Sequence, residues 1–428
     1  MTPPAPASPA TAGLLRASLT LLAGGAAAQA MPLMLGPLLT RLYSPSEFGT
    51  FHVFAAVAAN LAVVGCGRYE FALPLARSDG EAHALRRLAL GILLIVTALC
   101  LPIGLIWAVQ LDTSWPLALP LAVASAGLLS LATLWATRQQ RFKALAAGRM
   151  AQHTGTTLAQ LLGGWLHWGV HGLIAGGVAA ALTAVALLRL PLGQARSAEL
   201  TAAPSWRDVA RQHRHFPLLN TPHAFASALQ DTLAFALIAT TLGPAAAGFW
   251  GLAMRYLKAP ATLIGGAVSQ ALYPKLAAAG EVPLGGAVSL EARQAVRRVM
   301  LILSALALPL VVLLWALGAW LFEWFFGNAW HEAGLLAQAL ALYIGVHFVA
   351  APLAVVTMAW NAQAWALRLA LVGQVVFVGA LALGAHWGGL IGAGWAVSLA
   401  MLAYFGYYFW ALATWPITPT STATKAAS

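Results

Sequence analysis

The stretch LALGILLIVTALCLPIGLIWAV, residues 88–109, contains no charged side chain. As a helix it is about 33 Å long, enough to cross the roughly 30 Å hydrocarbon core of a bilayer. Similar stretches recur along the whole chain, and this recurrence limits what the chain can become. A backbone in hydrocarbon must satisfy its own N–H and C=O groups, and a helix of about twenty apolar residues does so. Twelve windows fit, near 14–38, 48–74, 86–109, 116–136, 150–168, 170–190, 216–241, 248–272, 298–321, 335–356, 366–385 and 389–412. The fifth and sixth meet at WGVHG and the last two at HWGG. A fused pair is too long for one crossing, so each reads as a tight helical hairpin turning on glycine. The 428 residues are 61% hydrophobic and 8% charged, against about 25% charged in soluble domains. Too few polar residues exist for a water-facing exterior. The expected fold is all-α and integral to the membrane, with about twelve transmembrane helices.

The N-terminal GLLRASLTLLAGGAAAQA has the features of a cleaved signal. Its apolar pattern, however, continues through MPLMLGPLL to Leu39, beyond the length of a signal's apolar core, so it reads as a retained first helix. Residues 1–13 read as a disordered N-terminus and 413–428 as a cytoplasmic tail, whose end TPTSTATKAAS reads as disordered. Cys66 and Cys100 sit inside apolar windows and read as small buried hydrophobes, not as disulfide partners or metal ligands.

The net charge of +11 would suggest nucleic acid in a soluble protein. Here the basic residues fall between apolar windows, where they set topology and meet anionic lipid. With the N-terminus cytoplasmic, the inner segments carry Arg16; Arg77, Arg86 and Arg87; Arg138, Arg141, Lys143 and Arg149; Arg189, Arg196, Arg207, Arg211 and Arg214; Lys275, Arg293, Arg297 and Arg298; Arg368; and Lys425. The outer loops carry only Arg41, and Arg68, Arg255 and Lys258 fall inside windows. The asymmetry predicts both termini inside. The longest inner segment contains SWRDVARQHRHF, either a basic interfacial helix or a solvated linker.

Several phrases occur twice in the same order. YSPSEFGTF pairs with LGPAAAGFW, ALPLA with LYPKLA, EAHALRR with EARQAVRR, LPIGLIW with LPLVVLLW, and HWGVHGLI with HWGGLI. This predicts a duplication: an N-lobe of six helices at 14–190, a cytoplasmic linker at 191–215 and a C-lobe of six at 216–412. An even helix count makes the repeat parallel, and a central cavity between lobes is its expected consequence. The repeated His-Trp-Gly phrase falls at the turn between the fifth and sixth helix of each half, where small residues let helices approach. His167, His171 and His386 read there as interfacial or packing residues.

Charges inside a bilayer are expensive and mark function or pairing. Arg68 and Glu70 lie near the inner end of the second window. Asp231 is about 22 Å into the seventh. Arg255 and Lys258 share one helix face in the eighth, with Lys258 nearest the midplane. Gln29 lies in the first window beside Pro32 and Pro37. Three cations against two anions favour an anionic substrate such as a phosphate or diphosphate, although a purely structural pairing of Asp231 with Arg255 or Lys258 is the alternative. No P-loop, HExxH or GxSxG motif is present, so neither ATP hydrolysis nor a cofactor or metal is expected. Coupling to a proton or sodium gradient is expected instead, with Asp231 and Glu70 as the exchange or gating candidates.

PLLTRLYSPSEFGTF, GRYEFALPLA, RFKALAAGRMAQ, AAGFWGLAMRYLKAPATLIGGAVSQALYPKLA and WFFGNAWHEAG resemble the Wzx-type O-antigen and capsule flippases of the multidrug/oligosaccharidyl-lipid/polysaccharide exporter superfamily. The resemblance runs from about Leu14 to about Trp410. It implies a bacterial inner-membrane protein that moves undecaprenyl-diphosphate-linked oligosaccharide between leaflets by alternating access, alongside other polysaccharide assembly proteins. Arg68, Arg255, Lys258 and Gln29 would then contact substrate, and Asp231 and Glu70 would couple or gate. Rival expectations are a multidrug exporter or lipid II flippase of the same superfamily, or a membrane-embedded O-antigen polymerase or ligase. The last needs a large outer loop, and the outer loops here are short. The topology is checked by reporter fusions: one after Lys425 is expected to be active only as a cytoplasmic reporter, and one at Asn328 only as a periplasmic reporter.

Overall fold

The computed structural model describes residues 30–190, 205–277 and 286–418. The helices are α1 (Ala30–Leu42), α2 (Pro45–Val64), α3 (Asp79–Leu111), α4 (Leu119–Arg138), α5 (Phe142–Trp165), α6 (Val170–Leu188), α7 (Trp206–Gln212), α8 (Thr221–Leu242), α9 (Pro244–Leu257), α10 (Ala259–Ala277), α11 (Leu290–Phe326), α12 (His331–Ala359) and α13 (Gln363–Ala413). Each of the twelve apolar windows falls on helix, the first only from Ala30 onward. Among the described residues, eight helical segments are long and apolar enough to cross a membrane. One of them, α13, contains two windows, because Gly388 and Gly389 leave helical geometry inside it. The chain divides into two compact units, Met1–Ala236 and Leu237–Ser428, with the division inside α8.

The duplicated phrases build matching local structure. EAHALRR and EARQAVRR lie in the first turns of α3 and α11. Each helix is capped by a serine, Ser78 or Ser289, whose hydroxyl accepts from the backbone N–H of Glu81 (3.2 Å) or Ala292 (3.1 Å). Such caps satisfy N–H groups that have no partner within the helix. The two helices have 33 and 37 residues, about 50 and 55 Å, so both project beyond a bilayer core. YSPSEFG forms a capping box at α2: the Glu47 carboxylate accepts from Ser44 N–H at 2.7 Å, and Ser44 Oγ accepts from Glu47 N–H at 3.3 Å.

The two hairpins are tight, as their glycines predicted. Gly169 (φ +54) turns α5 into α6, and Gly389 (φ +58) turns the two arms of α13. Just beyond each turn glycine faces glycine. A Cβ on Gly163 would meet the Gly172 Cα at 2.7 Å, and one on Gly384 would meet the Gly392 carbonyl at 2.5 Å. His171 beside the first turn is exposed, with its ring Nε2 3.0 Å from Ser114 Oγ.

Two windows expected as continuous helices are interrupted. The second stops at Val64, turns through Gly67 and Arg68, both with left-handed φ (58° and 60°), and resumes as a 3₁₀ helix at Tyr69–Leu75. The turn keeps its backbone bonds short-range: Gly67 N–H donates to Val64 (2.9 Å) and Tyr69 N–H to Cys66 (3.2 Å). The eighth window divides into α9 and α10 at Lys258, two residues before Pro260, which has no N–H to continue the ladder.

The SWRDVARQHRHF segment contains α7, and the helix is docked. Val209 is fully buried in the first unit's core, Tyr69 donates to the Ala210 carbonyl at 3.2 Å, and Glu81 accepts from Gln212 at 3.1 Å and pairs with His213 at 2.8 Å. Trp206 and Arg207 stay exposed.

Overpacking a close helix crossing costs about 1–3 kcal/mol. Gly172→Leu and Gly392→Leu are each expected to lower the thermal unfolding midpoint of the purified protein by several degrees. Gly177→Leu, at a position with open space, is expected to leave it unchanged.

Candidate functional site

In the first unit the helix break presents the polar groups. Arg68 sits at the break in a left-handed conformation that costs an L-residue about 1–2 kcal/mol. Its guanidinium lies over the Phe71 ring at 4.8 Å. Glu70 is buried, 3% exposed, and hydrogen-bonds Ser130 on α4. Phe71 and Ser130 also line a cavity of about 580 Å³ between α2, α4, α5 and α6. The rest of its wall is mostly apolar, with Phe51, Phe54, Leu129 and Ile174, and Gln152 as a polar exception. Arg68 and Glu70 are thus brought together, two residues apart, beside an apolar chamber.

Asp231 lies exposed on α8 and forms no ion pair among the described residues. Its neighbour Thr232 holds α8 against α2: Thr232 donates to the Ala56 carbonyl at 3.1 Å and accepts from Asn60 at 3.3 Å. One turn on, Phe235 stacks flat on His52 with centroids 5.3 Å apart. Gln29 lies outside the described residues.

In the second unit Arg255 ends α9 and Lys258 occupies the interruption before α10, both half-buried. The Lys258 ammonium stands 5.7 Å from the Tyr343 ring centre, a cation–π arrangement. Tyr343 continues to His347 (5.7 Å), and His347 to Phe405 (6.4 Å). Ser398 fixes this part of α12 by donating to the Ala339 carbonyl at 2.6 Å. The carboxylates described in this unit are Glu291, at the start of α11, and Glu323 and Glu332, at the junction of α11 and α12. Glu323 is already bonded to His331 at 2.9 Å. Arg255 and Lys258 therefore form no ion pair among the described residues. A half-buried cation without a counter-charge is costly, and an anionic ligand relieves that cost.

Tyr343 and His347 were not singled out from the sequence. Their signal was present as two polar aromatic residues at i, i+4 within the apolar stretch LYIGVHFVA, which places them on one helix face. Among the described residues, no group of three His, Cys, Asp or Glu side chains is placed to hold a metal ion.

The family model described as polysaccharide biosynthesis protein matches residues 75–334. No curated protein matches the chain in sequence. Solved structures with the same fold include an inward-facing multidrug resistance MATE family transporter of the MOP superfamily (15% identical, TM-score 0.62, covering 92% of this chain and 93% of that one). The lipid II flippase MurJ in an inward closed conformation is similar as well (10% identical, TM-score 0.64, covering 92% and 90%). So is the Vibrio cholerae MATE transporter VcmN (16% identical, TM-score 0.51, covering 94% and 95%).

A β-branched residue cannot take the left-handed backbone of the break without strain, and a Cβ on Gly67 would press on Ile92 at 3.2 Å. Gly67→Val is expected to destabilise the protein by about 1–2 kcal/mol, read as a lowered unfolding midpoint. Gly91→Ala, at a helical position with open space, is expected to have no such effect.

Proposed function

Because the chain belongs to the family of polysaccharide biosynthesis proteins, we infer that it carries an undecaprenyl-diphosphate-linked oligosaccharide from the inner to the outer leaflet of the bacterial inner membrane. The observation that carries this reading is the pair Arg255 and Lys258, half-buried at a helix interruption in a unit whose described carboxylates are confined to helix ends. A diphosphate supplies the missing negative charge. Arg255 offers a planar fork of donors to its oxygens and Lys258 a compact charge. Tyr343, buried against His347 and Phe377, orients the ammonium. In the first unit Arg68 is the cation proposed to meet substrate, and Gln29 is assigned to the sugar. Interrupted helices near the middle of the bilayer are where transporters of duplicated architecture bind substrate, and the likeness to a lipid II flippase and to MATE transporters supports alternating access.

The cycle resets on an ion gradient. Glu70 is the buried carboxylate available to bind and release a proton or sodium ion, and Asp231 is the second candidate. Both termini face the cytoplasm, where the oligosaccharide carrier is loaded, and the assembly machinery on the opposite side consumes the product. A multidrug exporter is the second reading, favoured by the apolar 580 Å³ chamber in the first unit. Uncompensated cations in the second unit oppose it for cationic drugs.

The decisive experiment is flipping of a fluorescent undecaprenyl-diphosphate-oligosaccharide in proteoliposomes. Arg255→Ala and Lys258→Ala are each expected to slow flipping at least ten-fold in protein that elutes and unfolds like the native chain, and Glu70→Gln to abolish its gradient dependence, with Asp231→Asn as the comparison. Native protein that flips no lipid-linked sugar under any imposed gradient, but exports a drug, overturns the reading.

A further inference from the structure

The two arms of α13 enclose a groove of about 640 Å³, within the roughly 300–1,000 Å³ of ligand clefts. Its sides are Leu369, Val372 and Tyr404, and its end carries Trp365, Arg368 and Tyr407. Gly373 makes the groove possible. A Cβ there would meet the Tyr404 ring at 2.6 Å, so glycine lets Tyr404 lie across the hairpin and donate to the Leu369 carbonyl at 3.0 Å. Val372 and Tyr407 are 54% and 50% exposed, so the groove opens outward, toward lipid in a membrane-spanning chain.

The end that holds Arg368 is the basic end of this unit. Trp365 packs on Trp415 at 5.4 Å. The Trp415 carbonyl accepts from Arg293 at 3.1 Å, and the Ala413 carbonyl accepts from Arg297 at 2.8 Å. Glu291, exposed at the start of α11, is the carboxylate described at this end, against Arg293, Arg297 and Arg368, while Glu323 and Glu332 lie at the junction of α11 and α12, the other end of α11. From residue 333 onward the sequence contains no Asp or Glu. Arg368 is exposed and makes no ion pair among the described residues. The groove thus has an unneutralised guanidinium at its mouth, an indole and a phenol beside it, and apolar walls running from there toward Val376, about 12 Å along the helix. Amphipathic aromatics and a basic residue at the water boundary, with an apolar slot behind them, match the two halves of a lipid.

We propose that this groove holds one anionic glycerophospholipid of the leaflet at the basic end, with its phosphate on Arg368 and one acyl chain along Val372 and Val376. The lipid is resident and is not the cargo, so the site is independent of the transport reading. It secures the α13 hairpin, whose arms otherwise leave this slot between them.

The test is native mass spectrometry of the full-length protein, delipidated in detergent and titrated with phosphatidylglycerol or phosphatidylcholine. The native chain is expected to retain one phosphatidylglycerol, with about five-fold preference over phosphatidylcholine, the increment of one interfacial cation. Arg368→Gln, a change at an exposed position, is expected to erase the preference without altering phosphatidylcholine retention. Ala403→Phe, which fills the groove, is expected to lower retention of both lipids. Equal retention of the two lipids by the native chain overturns the proposal, as does an unchanged preference in Arg368→Gln. One-for-one displacement of phosphatidylglycerol by undecaprenyl phosphate also overturns it, by making the groove a substrate site. Retention is read without transport, so loss of flipping and loss of this site are separate results.

Discussion

A peptide N–H or C=O without a partner in hydrocarbon costs several kcal/mol, and the described structure follows from avoiding that cost. Among the described residues, the apolar windows are built on helix. Where it leaves the helix, it does so with its bonds retained. At the second window the chain closes three-residue turns, with Gly67 donating to Val64, Tyr69 to Cys66 and Phe71 to Arg68. At the hairpins glycine takes the positive φ that other residues resist, and the helices on either side touch at glycine.

The same constraint explains why the charges sit where they do. A helix interior presents no free backbone groups, whereas an interruption brings polar side chains and backbone together in a place already desolvated. Arg68 and Lys258 occupy the interruptions of the second and eighth windows, the corresponding helices of the two halves. The charge balance differs between the two units. In the first unit Arg68 has Glu70 two residues away, and Glu70 is bonded to Ser130. In the second, Arg255 and Lys258 have aromatic and histidine neighbours instead of carboxylates. The described carboxylates of the second unit are confined to helix ends, whereas the first has Glu70 buried beside its helix break.

Much of this was legible in the sequence because it depends on local chemistry. The windows and the glycine turns at Gly169 and Gly389 each follow from residues within one or two turns of each other. The interruption at Arg68 was not legible. Gly-Cys-Gly inside an apolar run is tolerated by a helix as readily as by a turn, and the choice depends on what packs around it. The chain Lys258–Tyr343–His347 was hidden for a different reason. Lys258 and Tyr343 are far apart in sequence, and hydropathy carries no information on which faces of α10 and α12 meet. The linker helix α7 was ambiguous for the same reason, since only a partner for Val209 and His213 separates a docked helix from a solvated one.

The sequence by itself determined that the chain crosses a membrane, where its apolar windows fall and its hairpins turn, and that it carries more cation than anion in its apolar part. Those properties depend on solvent transfer and on bonds between near neighbours. The tertiary structure alone decided which charges have partners, that two long helices break at Arg68 and Lys258, and that the hairpin of α13 leaves a groove beneath Arg368. Each of these depends on the packing of side chains distant in sequence, where a single glycine such as Gly373 sets how closely two helices approach.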